Sequence, residues 1–440
     1  MADHAVSSDP RVQRQLDRLS MLSPGADVLG LERIATLLAR LGNPERRLPP
    51  VFHVAGTNGK GSVCAYLRAA IEAAGHTAHV FTSPHLVRFN ERIRVAGRLI
   101  EDDLLAELLS DVLDVGQDVG ASFFEVTTAV AFLAFARTPA DACVIEVGLG
   151  GRLDATNVLP APAVCGIAQL GIDHQAFLGD RIEDIAAEKA GIAKPGVPLL
   201  TLHYPSAMAD RVGQAAAAVG APWLPKGAGW DASVYQSRLH YRDAEGTLDL
   251  PLPRLPGAHQ AVNAGLAVAM LRHQRAVPIP TSALRAALGW AEWPARLQRL
   301  GGALTKRLPD GAELWLDGLH NPAAARAIAD FFRAHVPADR PFHMILGLLE
   351  NKDPVGVLQP FVGRVAGLQT VPVPGHAHHA PGALTALAAQ AGIPATPADS
   401  VASALDRLTA DVEGMPPIVL IGGSLYLAGR VLVEDGSIPD

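Results

Sequence analysis

The sequence predicts an α/β protein of two domains, each wound around a mainly parallel sheet. Three observations predict it. Short β-rich runs alternate with Ala/Leu-rich helical stretches, the pattern of a doubly wound sheet. A glycine-rich, lysine-bearing loop joins a strand-like run to a helical one near residue 60. The pattern then breaks near Trp290–Arg296 (WAEWPAR), and a second strand–helix series begins.

In chain order, Val51–Ala55 (VFHVA) reads as a buried strand. Ser62–Ala74 reads as a helix, closed by Gly75 at the left-handed capping position. Glu91–Ile100 reads as a small hairpin with Gly97 at its turn. Further strands are expected at Ala142–Val147, Val164–Leu170 and Val197–Leu202. The Pro-rich stretches 251–256 and 372–374 read as loops. In the second series, strands are expected at Glu313–Leu316, His343–Leu346, Leu368–Val373 and Ile418–Ile421. The division is therefore 1–293, a linker at 294–298, and 299–440.

Composition sets outer limits. The chain has 440 residues, enough for two or three domains, with 49% hydrophobic and 18% charged residues. Its formal charge of −7 argues against a protein that coats nucleic acid. Three cysteines (Cys64, Cys143, Cys165) cannot form a disulfide framework, which suits a reducing compartment. The N-terminal residues lack the apolar core of a signal peptide. The longest apolar stretch, near Val126–Ala136, is too short to span a bilayer, which takes ~20 residues. A soluble, cytoplasmic protein without nucleic-acid or membrane partners is expected.

The strongest local signal is Gly56-Thr57-Asn58-Gly59-Lys60-Gly61-Ser62. Glycines let backbone N–H groups approach a phosphate, the helix end is positive, and the lysine neutralises anionic charge. The spacing departs from the standard G-x-x-x-x-G-K-[ST]: Val54 stands where the first glycine belongs, and Gly61 separates Lys60 from Ser62. A tight turn with an exposed lysine is the bland alternative. Glu146 ends an apolar strand and is followed by the glycine-rich stretch 148–151. Beside a phosphate loop, a strand-end carboxylate suits Mg²⁺; otherwise it is a strand-end Glu in water. His174 ends the next strand (GIDH) as a metal ligand or a loop histidine. Lys189 falls late in an Ala-rich helix, where a surface lysine is the default. In DGLHNP (317–322), Asn321 reads as an N-cap and Pro322 as the first helical residue. That leaves Asp317 and His320 unexplained by structure alone. Arg296 is a cation in the linker.

Together these motifs resemble one family, the folylpolyglutamate synthases/dihydrofolate synthases of the Mur-ligase-like ATP-dependent amide ligases. The matching segments are VAGTNGKGS (54–62), TSPHLVRFNERIRV (82–95), FFEVTTAVAF (123–132), EVGLGGRLDATN (146–157), GIDHQAFLGD (171–180), EKAGIAKPG (188–196), PARLQ (294–298), LDGLHNP (316–322) and GGSLYLAG (422–429). They occur in the family's order and spread over most of the chain.

The resemblance implies a phosphate-loop ATPase domain, a smaller Rossmann-like domain, and an active site in the cleft between them. It implies that ATP phosphorylates a pterin-bearing carboxylate, and that L-glutamate then attacks the acyl phosphate to give an amide, ADP and phosphate. By the same resemblance, Thr57, Asn58, Gly59, Lys60, Gly61 and Ser62 hold the ATP phosphates. Asn263 (in HQAVNA), Arg296 and Asp317 match further ATP contacts. Ser83, Glu146 and His174 match the Mg²⁺ ligands, and a monovalent cation is an optional addition. Lys189 matches a lysine that the family carbamylates, and His320 matches a neighbouring histidine. Lys60, Lys189 and His320 form the implied catalytic set. The pterin side is lined by Asp27, Leu29, Gly30, Phe123, Phe124, Glu125, Leu153, Asp154 and Ala155. Dihydropteroate, reduced folates and L-glutamate are the implied substrates of a bifunctional, monomeric enzyme.

A synthase acting on polyglutamates alone is the near alternative. A peptidoglycan Mur ligase is disfavoured, because only 55 residues precede Gly56 and a UDP-sugar domain takes ~100 or more. A simple P-loop kinase would not need the DGLHNP segment, and a nucleotide-binding module would not need Ser83, Glu146 and His174. The His-rich loop 376–379 reads as a solvated loop.

Overall fold

The computed structural model describes residues 5–22, 29–410 and 414–439. They form two compact units: residues 1–254 with 260–292, and residues 255–259 with 293–440.

The first unit is organised around an eight-stranded sheet. Its strands are β1 (Val51–Ala55), β2 (Ala78–Phe81), β3 (Ile93–Val95), β4 (Arg98–Leu99), β5 (Ala142–Glu146), β6 (Val164–Ile167), β7 (Leu199–Thr201) and β8 (Trp223–Pro225). The order is β4-β3-β2-β5-β1-β6-β7-β8. All pairs are parallel except β2–β3 and β3–β4. Strand β1 lies at the centre, with Val54 opposite Glu146 of β5 and Gly166 of β6. All five β1 residues are buried, as the unbroken run VFHVA requires for a strand covered on both faces. The helix Lys60–Ala73 follows β1, and Gly75 past its end takes φ +83°. The expected 91–100 hairpin forms as β3–β4, turning through Ala96 and Gly97, both at positive φ.

Helices Pro10–Leu22, Glu32–Arg40, Asp102–Val115 and Phe123–Arg137 build one large apolar core with strand residues such as Phe81 and Ile145. A three-stranded antiparallel sheet follows, of β9 (Trp230–Tyr235), β10 (Arg238–Asp243) and β11 (Gly246–Pro251). Arg272, near the C-terminus of helix Ala258–His273, ties to it through Asp243, with Nε–Oδ2 at 2.6 Å. Pro251 ends β11, so the expected 251–256 loop begins one residue later.

The second unit holds a six-stranded sheet: β12 (Gln298–Leu300), β13 (Glu313–Leu316), β14 (Phe342–Leu346), β15 (Gly367–Thr370), β16 (Ala395–Pro397) and β17 (Ile418–Gly422). The order is β12-β13-β17-β14-β15-β16, with only β12 antiparallel. Asn321 caps the helix Pro322–His335 by accepting the Ala324 N–H at 2.9 Å, with Pro322 as its first residue. Among the described residues no helix is long and apolar enough to cross a membrane.

Candidate active site

Four neighbouring strands of the first unit, β2, β5, β1 and β6, lead at their carboxyl ends to Ser83, Glu146, the 56–62 loop and the segment that carries His174, which lies seven residues beyond β6 rather than at the strand end expected for it. The chain passes from β1 to β2 across β5, and ligands favour the crevice at such a reversal of strand order. The phosphate loop leaves β1 through Gly56 (φ +146°), where an added Cβ would lie 2.9 Å from that of Ala168. The Thr57 and Asn58 N–H groups donate to the Gln169 carbonyl. The Thr57 hydroxyl donates to the Gly171 carbonyl and accepts from its N–H. The loop is thus stitched to the segment after β6. Gly59 opens the helix at φ +86°, and a Cβ there would lie 2.5 Å from Asn263 Oδ1. Asn263 donates to Gln260, which donates to the Ser62 hydroxyl at 3.2 Å. The predicted Asn263 is therefore packed against the loop it was expected to serve.

Two lysines meet at one carbonyl. Lys60 Nζ and Lys189 Nζ each lie 3.1 Å from the Gly56 oxygen. Lys60 also lies 3.9 Å from Glu146, whose other oxygen accepts the Ser83 N–H at 3.3 Å. Lys189 is not the surface lysine that its helix suggests. It is buried, and burial first, then the charge of Lys60, pull its pKa down to about 7 against the pull of Asp173 and Asp154.

Glu146 is itself buried. With Ser83 beside it, it offers the hard oxygen donors that Mg²⁺ takes. His174 is exposed at φ +54°, before the short helix Gln175–Leu178, in the segment that Thr57 anchors at Gly171. Among the described residues no group of three His, Cys, Asp or Glu side chains is arranged to hold a metal.

The expected pterin-side residues divide. Asp27 lies outside the described residues, and Leu29, Gly30 and Leu153 are half-buried. Phe123 is buried, with the Arg92 guanidinium 5.6 Å from its ring centre. Glu125 closes a capping box on Ser122 and pairs with Arg33 at 3.0 Å. Phe124 is half-buried over Gly148, where an added Cβ would lie 2.3 Å from its ring. Asp154 is buried next to the buried Ala155 and accepts from Leu149 N, Thr156 N and the Thr156 hydroxyl. Burial pushes its carboxyl pKa up against those hydrogen bonds. His53 reaches the same hydroxyl at 2.9 Å, and burial, with the nearby charge of Lys194, drives its pKa down to about 3. Asp154 thus holds the glycine-rich stretch 148–151 in shape.

In the second unit, Asp317 is buried at the end of β13, accepting Leu297 N at 2.8 Å and Leu319 N at 2.9 Å. Arg296 donates to the Ala295 carbonyl at 2.9 Å. His320 is half-buried beside Asn321. The 376–379 segment is tied down rather than solvated. His376 stacks on Tyr426 with ring centres 3.8 Å apart, His378 bonds to the His376 carbonyl, and His379 to the Lys352 carbonyl. A shallow cavity of about 500 Å³ on the three-stranded sheet, lined by residues such as Asp231 and His240, holds none of the predicted residues.

No family model matches the chain. It is 34% identical to the dihydrofolate synthase/folylpolyglutamate synthase of Escherichia coli, over 92% of this chain and 90% of the relative. It is 34% identical to the folylpolyglutamate synthase of Lacticaseibacillus casei, over 91% of this chain and 92% of that one. The chain belongs to the folylpolyglutamate synthase/dihydrofolate synthase family. The structure of E. coli FolC in complex with DHPP and ADP matches with a TM-score of 0.87 at 31% identity, over 97% of both chains. A bifunctional folylpolyglutamate synthase/dihydrofolate synthase with Mn, AMPPNP and L-glutamate bound matches with a TM-score of 0.83 at 30% identity, over 97% of this chain and 98% of that one.

Residue-level reading of this family member missed Gln260, His259 and the His53–Thr156–Asp154 relay. His259 senses both Asp317 and Arg296; burial lowers its pKa, Asp317 opposes and Arg296 adds. The signal for Gln260 and His259 was present, since both lie in the HQAVNA segment already quoted for Asn263.

Proposed function

We propose that this protein ligates L-glutamate to a pterin-bearing carboxylate, using ATP and a divalent metal. It converts dihydropteroate to dihydrofolate and extends reduced folates to polyglutamates. The observation that carries the reading is the pair of lysines on the Gly56 carbonyl beside buried Glu146. The relatives named above support the substrates.

An acceptor carboxylate oxygen attacks the γ-phosphorus and ADP leaves. The glutamate nitrogen then attacks the acyl carbon, phosphate departs, and the amine gives up its proton. Lys60 holds the charge of the transferred group, with Thr57 to Ser62 placing the phosphates on the helix end. Glu146 and Ser83, with His174 brought by the 171–174 segment, hold the divalent ion, which when bound neutralises phosphate charge. Asn263, Arg296 and Asp317 contact the nucleotide, and His320 is a catalytic group. Leu29, Gly30, Phe123–Glu125 and Leu153–Ala155, with Asp27, line the pterin side, where Phe124 is the half-buried aromatic and Asp154 shapes the loop.

Near neutral pH about half of Lys189 is the free amine, from a pKa of about 7. A free amine adds to carbon dioxide to give a carbamate and a proton, turning a repelling cation into an anion that suits the metal. The enzyme works as a cytoplasmic monomer, with residues 294–298 as its linker.

The test is glutamate-dependent phosphate release with 7,8-dihydropteroate, a reduced tetrahydrofolate and a UDP-muramoyl peptide in parallel. Turnover with both pterin acceptors is expected. Turnover with tetrahydrofolate alone makes it a polyglutamate synthase, and turnover with the muramoyl peptide alone overturns the reading. Repeating the assay in potassium and in choline chloride tests the monovalent cation.

A further inference from the structure

Just past Pro294 the backbone enters a conformation that L-residues avoid. Ala295 (φ +53°) and Leu297 (φ +45°) are both left-handed, with Arg296 between them, and Leu319 (φ +37°) joins them across the turn after β13. Such positions persist only where surrounding groups over-determine them. Each is held through its N–H by a side-chain oxygen. Asp317 takes the amides of Leu297 and Leu319. Gln298 Oε1 takes the amide of Ala295 at 2.9 Å.

The Ala295 hold has a consequence for its neighbour. With Ala295 left-handed, its carbonyl accepts both the Gly318 N–H at 3.1 Å and Arg296 Nη1 at 2.9 Å. Arg296 Nη1 lies 3.1 Å from where a Gly318 Cβ would stand, so the guanidinium passes close over a bare backbone. Ala295 is fully buried, and Gln298 is fixed in turn by pairing with Leu316, the residue before Asp317. Glutamine to alanine amide, alanine carbonyl to guanidinium, is thus a continuous path of two hydrogen bonds.

We propose that Gln298 is a positioning residue for Arg296: by holding Ala295 left-handed, it aims the carbonyl that orients the guanidinium. The inference rests on the reading of Arg296 as a nucleotide contact. Asp317 is a poor lever for testing it, because its removal frees two other amides at once. Gln298 controls one.

The experiment measures ADP affinity by calorimetry on the full chain with Mg²⁺, together with KM for ATP and kcat. Gln298→Met keeps the length of the side chain and removes the acceptor. It is expected to weaken ADP and raise the ATP KM about fivefold to tenfold, the worth of one orienting hydrogen bond, with kcat within about twofold. Gln298→Glu keeps an acceptor oxygen and is expected to stay within about twofold of the parent protein. Adding Ala295→Gly to Gln298→Met restores affinity, because glycine takes positive φ without being held. In an Arg296→Ala background, Gln298→Met adds nothing. Additive losses in that background, or no effect of Gln298→Met where Arg296→Ala alone weakens ADP, overturn the positioning role. An Arg296→Ala protein with unchanged ADP affinity overturns the nucleotide reading itself.

Discussion

Replacing Lys189 with methionine is expected to stabilise the protein at neutral pH while removing its turnover. Lys189 is buried, and its pKa falls from 10.5 to about 7. Between those values the folded state binds fewer protons than the unfolded state. Stability contributed at this site is therefore full above pH 10.5 and is lost as pH falls toward 7. At ~1.4 kcal/mol per unit, the loss at pH 7, where the folded group is half titrated, is about 4 kcal/mol. The hydrogen bond to the Gly56 carbonyl returns roughly 1–2 kcal/mol of that. Methionine avoids the penalty and loses the bond, so a gain of roughly 3 kcal/mol is expected at pH 7. At pH 9 the penalty is only about 2 kcal/mol and the gain nearly vanishes. Urea unfolding of both proteins at pH 7 and pH 9 measures this. Buffers stripped of carbon dioxide keep the amine unmodified. A gain equal at both pH values, or a less stable variant at pH 7, would refute a buried lysine strained by its own charge.

Three further outcomes follow from the geometry. Gly59→Ala places a methyl 2.5 Å from Asn263 Oδ1 at φ +86°, so nucleotide affinity should fall at least tenfold and stability by about 1–3 kcal/mol; an unchanged nucleotide titration would contradict it. Arg272→Ala removes both guanidinium bonds to Asp243, which keeps the Tyr241 hydroxyl and the Glu245 N–H, and should cost about 1–3 kcal/mol, whereas replacing the exposed Arg275 should be nearly silent in the same denaturation assay. Tyr66→Phe removes a buried hydroxyl that lacks a hydrogen-bond partner among the described residues, so thermal unfolding should show unchanged stability or a gain of about 1 kcal/mol.

Strands of continuous apolar residues could be read from the sequence because burial on both faces leaves no alternation to misread. The β1 span Val51–Ala55 agrees with expectation residue for residue, and so does the β13 span Glu313–Leu316, although its burial alternates. The three-stranded sheet was not legible. Its strands, such as RLHYRD, set buried residues between charged ones, and those charges read as loop. The Asn321–Pro322 cap was legible because its signal is local. The burial of Lys189 was not, because it depends on packing against a loop 133 residues away. The same holds for Asp154, whose part in shaping the glycine-rich stretch appears only when Leu149 and Thr156 fold around it.

The position of β1 at the centre of its sheet also sets a timetable. Val51 pairs with Cys143, and Phe52 with Val164, so both flanks of the strand that launches the phosphate loop are made about a hundred residues after it. At ~5–20 residues per second, a ribosome needs roughly 5–20 s to supply them. During that interval the run VFHVA is an apolar strand with two open edges. The strand that leads into the glycine-lysine loop is therefore synthesised early and flanked on both sides only once residue 167 has been added. A pause or break in translation before residue 167 would leave a chain that holds the whole glycine-lysine motif and cannot shape it.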